Sequence, residues 1–171
     1  MSRFSRLAYR SRQFRRALLT TRRPVTDDLL RPRLSPAQIF LFRRMQPSEQ
    51  AHAFQVYERL TAAGQTDPHL LAAALLHDAG KVLAPLSPLD RALVVLARHF
   101  LPEAARRWGS GDPCGLRRPF VTAAQHPAWG ADLAAAAGAS PRACGLIRRH
   151  QDVPAADDAL LAALQEVDDK N

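Results

Sequence analysis

In several places in this chain a helix-capping residue stands directly before a proline that opens an apolar, helix-spaced run: Ser35-Pro36, Asp67-Pro68, Ser87-Pro88 and Ser140-Pro141. A side-chain oxygen at the cap accepts from an amide of the first turn, and proline at the first helical position gives up an N–H that has no partner there anyway. Each pair therefore starts a helix. Gln38, three residues past Ser35, completes a capping box, and Asp90, three past Ser87, puts a carboxylate in the first turn. Gly64, Gly80 and Gly138 read as the complementary C-terminal stops. Alternating β-branched runs do not occur, and Val94-Val95 lies inside a helical pattern. The expectation is an all-α chain with helices near 36–45, 48–63, 68–79, 88–100, 119–126, 128–137, 141–150 and 155–169, without internal repeats. The Pro- and Gly-rich stretch from Leu101 to Arg118 reads as a mobile loop near the functional site.

With 171 residues and 47% apolar content, the chain suits one domain with a sizeable core. No apolar run reaches the roughly 20 residues that a membrane span needs, so a soluble protein is expected. Cys114 and Cys144 form no CxxC, which points away from a disulfide framework or a cysteine zinc site and toward a reducing, cytoplasmic setting. Cys144 reads as a small core residue, and Cys114 has no assigned chemistry.

The net charge of +8 is local. Met1 to Arg23 carries eight arginines and no acid, whereas the remainder balances 16 basic against 16 acidic residues. Residues 1–33 are accordingly read as a basic extension and 34–171 as the domain. Phe4, Leu7, Phe14 and Leu18 fall near one helical face of the extension among its arginines. An anionic membrane surface, nucleic-acid phosphates, the domain's own surface and bulk solvent all remain open as its partner, as does a transit-peptide role.

Within the domain, Leu75-Leu76-His77-Asp78-Ala79-Gly80-Lys81 ends an otherwise apolar helix with two metal-ligand residue types side by side. A charged aspartate and a histidine at the end of such a helix need a partner in low dielectric, and a divalent cation is one. The alternative is a polar helix end facing water. His52 lies upstream, His126 and His150 lie downstream, and Asp168 closes the last apolar stretch.

Read in order, H…HD…H…H…D resembles the HD-domain superfamily of metal-dependent phosphohydrolases, over roughly Leu34 to Asp169. His77-Asp78-Ala79-Gly80-Lys81 matches that family's HDxGK, and His126-Pro127-Ala128-Trp129-Gly130 matches HPxxG, both similar to the binuclear HD subgroup. No GYP triplet follows His150, and Gln151 stands where that subgroup has a second histidine, so cyclic dinucleotide cleavage is not implied. Helical phase agrees with the assignment. His52 shares a stripe with Val56 and Leu60, and Asp168 shares one with Leu161 and Leu164, whereas Asp169 is one step off. His69 and His99 read as surface or outer residues.

The resemblance implies a helical HD-type bundle holding one or two divalent ions, whether Mn, Fe, Ni, Zn or Mg. His52, His77, Asp78 and Asp168 would hold the first, and Asp78 would bridge to a second on His126 and His150. It further implies hydrolysis of a small phosphorylated, nucleotide-like substrate by a metal-activated water, with Asp78 and Lys81 as catalytic residues. Arg117, Arg118, Arg148 and Arg149 are candidate phosphate clamps. Trp108 and Trp129 are left out of the site. A non-catalytic HD regulatory or binding module and a di-iron HD oxygenase are the alternatives.

Overall fold

The computed structural model describes residues 25–153 and 157–170, and among them it contains helices and turns but no strand. The helices are α1 (Asp27–Leu30), α2 (Pro36–Arg43), α3 (Pro47–Ala62), α4 (Pro68–Leu76), α5 (Pro88–Phe100), α6 (Pro102–Trp108), α7 (Arg118–Ala136), α8 (Pro141–Arg149) and α9 (Ala159–Asp169). Short 3-10 turns cover Ala79–Val82 and Gly115–Arg117. The protein is all-α. The amphipathic helix expected in residues 1–23 lies outside the described residues, as does the expected start of the last helix at residues 155 and 156.

The caps behave as their chemistry dictates. Ser35 and Gln38 exchange reciprocal hydrogen bonds, as do Ser87 and Asp90. The Asp67 carboxylate accepts from the amides of His69 and Leu70, and Ser140 Oγ accepts from Ala143 N. Ser140 Oγ also meets His69 Nδ1 at 2.8 Å, tying the starts of α4 and α8 together.

Every residue of α4 from Leu70 to Leu76 is buried, which makes it the central helix, clasped by α3, α8 and α9. Burial of each of its four leucines stabilises the fold by roughly 2 kcal/mol. Leu30 of α1 is fully buried in this core, and Arg43 holds the Val25 carbonyl and the Asp27 carboxylate. The packed core thus begins ahead of Leu34. A smaller cluster of Val94, Ala97, Ala105, Phe120 and Ala123 joins α5 and α6 to α7.

Three expectations are corrected. The stretch from Leu101 to Arg118 is not a bare loop: it contains α6, whose Ala105 is buried and whose Trp108 packs edge-on against Phe120. The helix before the His-Asp pair ends at Leu76, with His77 as its cap and a 3-10 turn following. Pro127 does not break the chain into two helices, because α7 runs through it. A proline at 127 deprives the Ala123 carbonyl of its helical donor, and Arg98 of α5 supplies a replacement at 3.1 Å.

Candidate metal centre

Five elements converge on one interior point. α3 brings His52, the end of α4 brings His77 and Asp78, α7 brings His126, the end of α8 brings His150, and α9 brings Asp168. Their ligand atoms form two groups, His52 with His77 and Asp168, and Asp78 with His126 and His150, each with all atoms within 4.8 Å of one another. All six residues expected from the sequence are thus brought together. Asp169, the neighbour set aside, is exposed.

Asp78 joins the two groups. Its Oδ2 lies 3.7 Å from His77 Nε2 and its Oδ1 lies 3.3 Å from His126 Nε2. On the other side Asp168 Oδ1 is 2.8 Å from His52 Nε2 and 3.5 Å from His77 Nε2.

The backbone sets the tautomers. His77 Nδ1 meets the Ala74 carbonyl at 2.9 Å, His126 Nδ1 the Thr122 carbonyl at 2.9 Å, and His150 Nδ1 the Ile147 carbonyl at 2.7 Å. A carbonyl only accepts, so each Nδ1 carries a proton and each Nε2 is the ring atom turned inward. His77 and His150 achieve this by capping the last turns of α4 and α8 with their own rings.

Inside this cage, His77 Nε2 and His150 Nε2 are buried without a hydrogen-bond partner. Leaving a buried polar atom unpaired costs about 1–3 kcal/mol, and two lie in one cluster. Burial opposes charge on His77, but Asp78 and Asp168 outweigh it and raise its imidazole to about 9. His150 goes the other way, pushed down to about 3 by burial and by His77 and His126. Burial also opposes charge on Asp78, yet Lys81 and His77 hold it well below the usual carboxylate range. Two carboxylates and four inward-facing imidazoles gathered in the interior are a donor set that could hold cations. Two imidazoles and one carboxylate per group suit divalent zinc, manganese, iron or nickel.

The turn that carries His77 and Asp78 presses on α7 backbone to backbone. A Cβ on Gly80 would stand 2.0 Å from the His126 carbonyl oxygen and 2.6 Å from Gly130 N. Gly80 is therefore a close-approach glycine, not the left-handed helix stop expected for it; Gly64 and Gly138, with φ of 83° and 77°, are the helix stops.

Lys81, expected at a substrate phosphate, rests 2.6 Å from Asp78 Oδ2 with its side chain 17% exposed. The four arginines proposed as clamps have other partners. Arg117 donates to Ser110 O, Arg118 to Pro85 O and Asp90, Arg148 pairs with Asp132, and Arg149 pairs with Asp158. His99 packs on Phe100, away from the cluster.

Two residues escaped the sequence reading. Glu49, one turn before His52, is a buried carboxylate 3.0 Å from Arg91 Nη2 of α5, and burial raises its pKa. Gln165, one turn before Asp168, donates to the Arg149 and Asp152 carbonyls and so clamps the turn bearing His150 and Gln151. Both share the inward stripe of a ligand, which was the available signal. Gln151 Nε2 lies 3.4 Å from His126 Nε2, at the position where the resembled subgroup has its second histidine.

Comparison with family models, curated proteins and solved structures finds no match to this chain.

Proposed function

We propose that this protein is a metal-dependent phosphohydrolase of the HD type, cleaving a small phosphorylated, nucleotide-like substrate with a pair of divalent ions. The observation that carries the reading is the double cluster joined by Asp78, in which the buried Nε2 atoms of His77 and His150 make no hydrogen bond. His52, His77 and Asp168 would hold one ion, His126 and His150 the other, and Asp78 would offer one carboxylate oxygen to each. Bound there, the ions would lower the pKa of a water to supply a nucleophile at neutral pH and would neutralise charge on phosphoryl oxygens.

The chain's own residues supply the rest. Carbonyls at Ala74, Thr122 and Ile147 hold the three buried rings with Nε2 turned inward, so a cation entering would have to displace only the second proton of His77. Partial exposure of His52 and Asp168 opens the cluster on one side, where a phosphate would enter. Lys81, partly exposed beside Asp78, supplies positive charge for non-bridging oxygens.

The test is elemental analysis of untagged protein, followed by release of nitrophenol from bis(p-nitrophenyl) phosphate and p-nitrophenyl phosphate with manganese, nickel, zinc or magnesium. About two ions per chain with metal-stimulated release supports the reading. The same donor set suits non-haem iron, so tightly bound iron with dioxygen uptake and no phosphate-ester cleavage would replace it with an oxygenase. Bound metal without turnover of either kind would leave a binding module.

A further inference from the structure

A different face of the molecule violates the usual placement of residues in the opposite sense. On α5, Leu89, Ala92, Leu93, Val95, Leu96, His99 and Phe100 are all exposed. At 3.6 residues per turn they fall on one half of the helix surface, and none is a lysine, arginine, aspartate or glutamate. Leu89 is 82% and Phe100 65% exposed. The charged residues of α5 lie on the other half, where Arg91 is bonded to Gln46 and Glu49, Arg98 to the Ala123 carbonyl, and Asp90 to Arg118. Only Val94 and Ala97 of this helix are buried. A contiguous apolar face of this kind, on the order of several hundred Å², marks a contact surface on soluble proteins.

Charge decides the occupant. Residues 88–118 carry six arginines against three acids, net +3, whereas the remainder of residues 24–171 carries ten basic against thirteen acidic side chains, net −3. Residues 1–23 add eight arginines and no acid. A second copy docked through α5 would set two positive lobes against each other. An anionic lipid surface satisfies both features at once, taking apolar side chains into the headgroup boundary and arginines among phosphates.

We infer that the exposed face of α5 seats this protein on anionic phospholipid bilayers. Association is interfacial, since no described helix is long and apolar enough to cross a membrane. Arg106 and Arg107 of neighbouring α6 supply headgroup contacts, and this surface is independent of the metal cluster and its chemistry.

Vesicle flotation with the full chain reads this directly, comparing equal parts phosphatidylcholine and phosphatidylglycerol with phosphatidylcholine alone. The wild type partitions to the anionic vesicles and is released as salt rises. The double variant Leu89→Glu, Phe100→Glu changes two highly exposed positions and keeps its circular dichroism and unfolding midpoint. It loses partitioning by more than about tenfold, because two apolar anchors are replaced by like charge to the lipid. Absence of wild-type partitioning overturns the inference. So does equal partitioning of wild type and double variant, which would assign lipid contact to the arginine-rich residues 1–23. A concentration-dependent dimer that the double variant abolishes, with no vesicle binding, would assign the face to a second copy.

Discussion

The cluster region, built on α3, α4, α7, α8 and α9, hides polar groups in an apolar interior, whereas the α5–α6 lobe shows apolar groups to the outside. His77, Asp78, His126 and His150 are buried where Leu70 to Leu76 would otherwise make a featureless core. Leu89, Leu93, Leu96 and Phe100 are exposed on a helix that buries only two of its own residues. Both placements cost free energy in the isolated chain, and both are the informative kind of exception to the inside–outside rule. On the two proposals above, each would be resolved by something that arrives from elsewhere: a cation in the first region, an apolar and anionic surface in the second. Stability alone explains neither.

The contrast breaks most severely at Asp78. Asp78→Ala removes the carboxylate shared by both groups, so metal content falls from about two ions per chain to near none and phosphate-ester cleavage falls with it. His126→Ala keeps the group of His52, His77 and Asp168 and retains about one ion. Plasma mass spectrometry that found equal metal in the two variants would defeat the shared-carboxylate arrangement. Leu75→Ala, in the centre of α4, destabilises by about 3 kcal/mol in chemical denaturation through lost transfer energy and the cavity left behind.

If the proposed ions bind, their affinity carries a pH signature. His77 sits at about 9 because Asp78 and Asp168 stabilise its charged form, and a ligating imidazole must be neutral. Binding therefore releases this proton, and affinity falls by about tenfold for each pH unit below 9. Calorimetry in buffers of different ionisation enthalpy reads that proton, and a flat profile from pH 7 to about 9 would remove His77 from the ligand set. Arg98→Leu comes next, destabilising by about 1–2 kcal/mol as the Ala123 carbonyl freed by Pro127 loses its donor. The smallest effect sharpens the contrast most: Leu89→Ala, the same chemical deletion as Leu75→Ala, changes stability by less than about 0.5 kcal/mol. A loss comparable to that at Leu75 would mean that the α5 face is covered within the chain itself.

Much of the cluster was legible because ligands must share the phase of the apolar stripe behind them. His52 follows the spacing of Val56 and Leu60, and Asp168 that of Leu161 and Leu164, which also discriminated it from Asp169. Glu49 and Gln165 obey the same rule but belong to residue types that normally face water, so spacing alone did not raise them. Arg117, Arg118, Arg148 and Arg149 find their acceptors within the chain, which the sequence could not show, because adjacency to a cluster residue says nothing about where a long side chain finds its acceptor. α6 was hidden by its neighbours. Pro102 starts it and Gly109 follows it, and the glycines and prolines beyond made the whole stretch resemble a loop.

By itself the sequence determined the local structure and the inventory. Four cap–proline pairs set where helices begin, apolar periodicity set which faces turn inward, and the order of histidines and aspartates set a metal-ligand class, because these depend on interactions within a few residues. Only the tertiary structure decided that the Asp78 carboxylate lies between the two groups, that Gly80 lies against α7 instead of ending a helix, that an arginine from α5 lets α7 pass through Pro127, and that α5 leaves half its surface bare among the described residues. Those outcomes rest on backbone approach and on partners from 25 to 50 positions away in the chain, and spacing along one segment carries no information about them.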